Sequence, residues 1–136
     1  MQATELQPDT VMVVEDETAI SDLLTTALED EGYRVLTARD GHDALQLLQR
    51  APPDAIVLDL MLPNLDGWQV IRWCRAHPAT TAIPIIVVSA AFDARQDADL
   101  EPLVFVEKPF DLDVLLVLVK DAVSHRQPLL SLDPRR

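Results

Sequence analysis

Five short apolar runs punctuate this sequence, and a segment with helical spacing follows four of them outright. The runs are Val11 to Val14, Tyr33 to Ala38, Ala55 to Leu60, Ile83 to Ser89 and Leu103 to Glu107. Each has the length of a buried strand, and the fourth is almost pure β-branched residues. Between them, Glu17 to Glu31 carries Ile20, Leu23, Leu24, Ala27 and Leu28 at helical spacing, and Gly32 stops it. Gly41 to Arg50 repeats the pattern with Ala44, Leu45, Leu47 and Leu48, and Pro52-Pro53 ends it. Asp66 to Ala76 and Asp111 to about His125 are also helical. Only Ala91 to Pro102 is weakly patterned, and it holds at most a short helix. Strands that are apolar on both faces and alternate with helices predict an α/β fold with a parallel sheet covered on both sides. Right-handed crossovers leave few topologies. The expected organisation is one domain over 11–125, an N-terminal extension over 1–10 and a tail over 126–136.

Composition narrows the function. The chain has 136 residues, 49% of them hydrophobic, which is enough for a real core. Its net charge of -12 argues against direct DNA binding, which needs a basic patch. No apolar run reaches the ~18 residues of a membrane span. The polar start "MQATELQPDT" lacks a signal pattern, and Cys74 is the single cysteine. A cytoplasmic protein without membrane attachment is expected.

In open parallel sheets, ligands bind outside the carboxyl ends of the strands. Five polar residues fall there: Glu15 and Asp16 after the first strand, Asp59 at the third, Ser89 at the fourth, and Lys108 after the fifth. Taken singly, these are ordinary strand-end, capping and turn residues. Together they form a site. Clustered carboxylates repel one another, and a divalent cation relieves the repulsion. Oxygen-only ligation favours Mg²⁺ over zinc. Lys108 and Ser89 supply a charge and a hydroxyl for a phosphoryl group arriving at Asp59. A carboxylate can itself accept such a group covalently.

At this point the sequence resembles the receiver domain of two-component response regulators, from about Val11 to about Val123. "VMVVEDE" resembles the acidic-pair strand end. "DAIVLDLMLPNLDGWQVIRWCR" resembles the phosphoacceptor strand with its loop and helix. "HPATTAIPIIVVSA" and "VFVEKPF" resemble the strand ending in the switch hydroxyl and the lysine-proline motif. The resemblance implies a flavodoxin-like, doubly wound five-stranded parallel sheet of order 2-1-3-4-5. It implies Asp59 as phosphoacceptor, with Ser89 and Lys108 on the phosphoryl group. Mg²⁺ is held by Asp16 and Asp59 directly, by Glu15 mainly through water, and by the main-chain carbonyl of Met61. Ser89 and Phe105 become the switch pair, and the Lys108-Pro109 bond is expected to be cis. A phenylalanine at 105 has no hydroxyl, so only its packing can report the state. The implied partners are a sensor histidine kinase or phosphotransfer protein and an unknown downstream protein. The implied function is a single-domain response regulator, not a true enzyme.

The stretch from Ser89 to Lys108 is shorter than the family pattern, so the fourth helix is expected to be shortened. Acidic residues at 93, 97, 99 and 101 leave it little apolar stripe. The last helix runs Val114 to Val119 without a polar break, more than one buried face needs. Some of these residues must face outward, as a homodimer or partner surface, unless the fourth helix or the tail, with its leucines 129, 130 and 132, covers them. Trp68 is expected beside the site and Trp73 on the outer side of its helix. Cys74 reads as core, and His42, His77 and His125 as surface or turn residues. An aspartate-nucleophile phosphatase would need an acid where Met61 stands. A flavin carrier would need a phosphate-cradling loop where "EDETA" repels phosphate. A receiver-like binding module that works without phosphorylation is the remaining alternative.

Overall fold

The computed structural model describes residues 7–90 and 100–126, with side chains through Ser124. These form β1 (Thr10–Val14), α1 (Thr18–Asp30), β2 (Arg34–Ala38), α2 (Gly41–Arg50), β3 (Ala55–Asp59), α3 (Gly67–Ala76), β4 (Ile85–Ser89), β5 (Leu103–Glu107) and α4 (Leu112–Arg126). All strand pairs are parallel, in the order β2-β1-β3-β4-β5, as expected. The shortened helix anticipated between β4 and β5 falls on 91–99, outside the described residues. So do residues 1–6 of the extension and the tail from 127 onward, including its three leucines.

The two faces of the sheet follow the two-residue period of its strands. Met12, Val14, Ile56, Leu58, Ile85 and Val87 face α2 and α3, where Ala44, Leu48, Ile71 and Cys74 meet them. Val11, Val13, Val57, Ile86 and Val88 face the other way. They pack under Leu24 and Leu28 of α1 and Leu115, Val119 and Val123 of α4. Each such aliphatic side chain contributes about 1.5–3 kcal/mol of burial. β3 is the central strand and is buried along its whole length. It therefore carries Asp59 to the rim on the stiffest part of the sheet.

Strand ends differ from the sequence reading where a neighbouring motif claims the backbone. Tyr33 is not in β2. Its N–H bonds to Leu28 O at 3.1 Å while Gly32 N–H bonds to Glu29 O at 2.9 Å, with Gly32 at φ 97°. This Schellman closure uses the amide a strand would need. Leu60 is lost from β3 because its carbonyl accepts Gly67 N–H at 3.1 Å. Ile83 stays in the core, but β4 starts only at Ile85, after Pro84.

Two side chains are placed against expectation. Leu23 belongs to the apolar set of α1 but is 49% exposed, because Leu24 and Leu28 already fill the face toward the sheet. Trp73 does not stand out from its helix. It is half-buried against the core and stacks on His77 with ring centroids 3.8 Å apart, while His77 Nδ1 contacts Trp73 O at 2.7 Å. The expected outward residues of α4 are Val114 and Val117, 51% and 65% exposed. Cys74 is buried as expected, and burial pushes its thiol up to about 11.

Candidate functional site

β1 ends at Val14, and Glu15 and Asp16 follow it on the rim. Glu15 is anchored by its main chain, whose N–H bonds to Ala38 O at 3.0 Å. Its Oε2 accepts Glu17 N–H at 3.0 Å, which fixes the carboxylate under the start of α1. Asp59 Oδ1 accepts Met61 N–H at 2.9 Å, so the loop after β3 holds one carboxylate oxygen.

That loop is shaped by three local devices. Asn64 takes the left-handed conformation at φ 70°, which asparagine tolerates better than most residues. Asp66 and Gln69 form a reciprocal capping box that starts α3. Gly67 lies so close to β3 that an added Cβ would sit 2.7 Å from Leu60 Cα and 2.9 Å from Asp59 O. The loop also rests on α2, since a Cβ at Gly41 would fall 2.4 Å from Leu65 O. The D-x-x-Q spacing of the capping box was readable in the sequence. The two glycine contacts were not, because they depend on which backbones meet.

Lys108 arrives from the end of β5, where its N–H bonds to Ser89 O at 2.9 Å. Its Nζ lies 3.2 Å from Asp59 Oδ2 and 3.4 Å from Glu15 Oε1. Glu15 and Asp59 are 4% and 5% exposed, whereas Asp16 is exposed. Ser89 is buried at the end of β4, one position beyond the residue paired with Asp59. The Lys108-Pro109 peptide is cis, as is Glu101-Pro102. All five rim residues of the sequence reading therefore stand along the same carboxyl edge of the sheet.

Among the described residues the charges do not balance. Burial, with the charge of Asp59 behind it, raises the Glu15 carboxyl above its usual range despite the Glu17 amide and Lys108. For Lys108, burial alone would lower the ammonium, but hydrogen bonding and charge from Asp59 and Glu15 outweigh it and raise it. One ammonium thus serves two buried carboxylates. Carboxylate oxygens of Glu15, Asp16 and Asp59 lie within 4.8 Å of one another. An all-oxygen set with surplus negative charge and one exposed member fits a hard divalent cation that keeps part of its water.

Beside this rim lies an apolar groove of about 440 Å³ that the sequence reading missed. Ile20 and Leu23 of α1 form one wall, and Pro109, Phe110 and Leu112 the other, with Lys108 shared by groove and rim. The exposure of Leu23 is thereby explained. The remaining unforeseen residue is Arg75. Its guanidinium donates to Leu100 O at 2.7 Å, Pro102 O at 2.9 Å, Thr81 O at 3.2 Å and Thr80 O at 3.4 Å. It ties the end of α3 to the entries of β4 and β5, at the opposite end of the sheet from the rim.

The sequence profile of the response regulator receiver domain matches residues 11–120. The chain belongs to this family. As a receiver domain it is 31% identical over 137 residues to the probable transcriptional regulatory protein TcrX of Mycobacterium tuberculosis. That alignment takes in 98% of the chain and 57% of TcrX, so the chain spans little more than half of that relative. The Francisella response regulator 1452 receiver domain superposes with a TM-score of 0.78 at 27% identity, over 88% of this chain and 99% of that one. The receiver domain of the Pseudomonas aeruginosa sensor histidine kinase PA1611 does so with 0.74 at 27% identity, over 87% and 99%. That structure holds a magnesium ion in its active-site cleft.

Proposed function

We propose that this receiver domain accepts a phosphoryl group on Asp59 from a phosphohistidine of a sensor histidine kinase or phosphotransfer protein. The observation that carries the reading is the convergence of buried Asp59, Lys108 Nζ at 3.2 Å and the Glu15-Asp16 pair on one rim. The Asp59 carboxylate attacks phosphorus, the P–N bond to the donor imidazole breaks, and the imidazole leaves with the electron pair and takes up a proton. Met61 N–H holds Oδ1 throughout and Lys108 keeps Oδ2 oriented. Lys108 then neutralises the added phosphoryl charge, and the Ser89 hydroxyl donates to a phosphoryl oxygen. Asp16, Asp59 and the Met61 carbonyl would hold Mg²⁺, with Glu15 acting through water, and the ion would supply charge neutralisation and orientation.

The groove between α1 and the start of α4 supports the donor side of this reading. We read this groove, which shares Lys108 with the rim, as a contact for the protein that brings a phosphohistidine to Asp59, with Ile20, Leu23 and Phe110 as the apolar surface it would bury. On the output side, Ser89 and Phe105 change position together and alter an interaction face. Exposed Val114 and Val117 on α4 make that helix our choice for a homodimer or partner contact. We read the domain as working in the cytoplasm, through protein contacts rather than by touching DNA itself.

The test is incubation with Mg²⁺ and acetyl phosphate followed by intact-mass measurement. One phosphoryl adduct is expected, absent without Mg²⁺ and absent in Asp59→Asn. If no adduct forms, no beryllofluoride mimic binds and no kinase transfers to it, the domain is a phosphorylation-independent binding module.

A further inference from the structure

Trp68 joins two parts of the molecule that the sequence keeps far apart. It sits in the first turn of α3, directly after Gly67. Gly67 is pressed on the backbone of Asp59 and Leu60 and bonded to Leu60 O at 3.1 Å. The Cα of Trp68 is therefore fixed relative to the end of β3. Its indole is buried and meets the ring of Phe105 with centroids 6.1 Å apart and planes tilted by 47°. That separation lies within the ~4.5–7 Å range of favourable aromatic pairs.

Phe105 stands on β5, paired with Val87 and three residues before Lys108. Lys108 reaches back to Asp59 at 3.2 Å. The contacts close a circuit: Asp59 backbone, Gly67, Trp68, Phe105, β5, Lys108 and Asp59 again. Two chains of contact thus link Asp59 to Phe105. The ring is half-buried and has no hydroxyl with which to hold either orientation. Packing alone selects its position. The indole beside it is large and rigid, so it presents a defined surface rather than an adaptable one.

We propose that Trp68 is the positioning residue of the Phe105 switch. The indole seats the ring in its resting orientation, and the Trp68–Phe105 contact breaks when the ring turns inward after Asp59 is modified. This rests on the reading of Asp59 as phosphoacceptor.

The experiment labels the full chain with 5-fluorotryptophan and follows both tryptophans by ¹⁹F NMR while Mg²⁺ and beryllofluoride are added. Binding of the mimic is read independently from the bound beryllofluoride resonance. Trp68, assigned with Trp68→Phe, is expected to shift while Trp73 stays in place. Phe105→Leu conserves the fold and the mimic resonance but loses the Trp68 shift, and Phe105→Tyr restores it. If the mimic binds and Trp68 is silent, or shifts equally in Phe105→Leu, the positioning role is overturned. If the mimic does not bind the parent chain, the phosphoacceptor reading itself falls and the proposal with it.

Discussion

Replacing Lys108 with methionine keeps the unbranched stem of the side chain and removes the cation that both buried carboxylates share. At 3.2 and 3.4 Å, with an effective dielectric constant of ~20, each ion pair is worth about 5 kcal/mol before desolvation. The Lys108 side chain is 16% exposed, so removing the ammonium also recovers part of a desolvation cost and some screening by water. A net loss of about 2–4 kcal/mol is expected for metal-free protein near neutral pH, measured by urea unfolding. Two rescues distinguish charge from packing. Glu15 has a raised carboxyl, so its ionisation opposes folding. The stability it withholds is present below its ordinary value of 4.5 and is lost as pH rises through the folded value. The Lys108→Met deficit should therefore shrink as pH falls toward ~4, where carboxylates begin to protonate. It should also shrink with saturating Mg²⁺, whose charge replaces the ammonium. An equal deficit at both pH values, unmoved by Mg²⁺, would refute the argument and leave Lys108 as a packing residue.

Other changes separate the roles of neighbouring features. In the parent chain the raised Lys108 contributes stability below its ordinary value of 10.5 and loses it as pH climbs through the folded value. Alkaline unfolding should accordingly shift to lower pH in Asp59→Asn. Gly41→Ala forces a Cβ against the Leu65 backbone and should cost about 1–3 kcal/mol. It should also weaken Mg²⁺ binding by isothermal titration calorimetry, because the displaced loop carries Met61. Arg75→Leu removes the side-chain donor from the carbonyls of Leu100, Pro102, Thr80 and Thr81, of which Pro102 and Thr80 keep the N–H of Ile85 and Ile83, and should cost about 1–3 kcal/mol. Hydrogen exchange should localise the loosening to the entries of β4 and β5. Leu115→Ala should cost about 2–5 kcal/mol, whereas Val117→Ala on the same helix should stay within about 0.5 kcal/mol in thermal unfolding of the monomer.

The sheet was legible because its signal is local. Each buried strand is an apolar run, and each helix announces itself by spacing and by stops such as Gly32 and Pro52. The rim was legible because strand ends in a parallel sheet share an edge, so Glu15, Asp16, Asp59, Ser89 and Lys108 could be gathered without a distance. What stayed hidden depends on which surfaces touch. Leu23 obeys the same helical spacing as Leu24, and only the sheet decides which of them is covered. Trp73 looked outward until His77 proved close enough to stack on it. Arg75 drew no notice in the sequence, because its hydrogen bonds go to main-chain carbonyls, near at Thr80 and Thr81 and far at Leu100 and Pro102, that carry no sequence signature. Gly41 and Gly67 are defined by atoms that a larger residue would strike, which no local pattern encodes.

The placement of Arg75 has a consequence for how the molecule answers its surroundings. Main-chain carbonyls do not titrate and carry no net charge, so the four bonds that hold this guanidinium do not depend on the ionisation of their acceptors. The opposite edge, where Glu15, Asp59 and Lys108 meet, is held by groups that do titrate. The two ends of a single sheet are thus held by different kinds of bond, and the one carboxylate whose charge acts on Arg75 is Glu101, among the described residues. Charges can be rearranged at the rim while the far end of the sheet keeps its ties through uncharged oxygens.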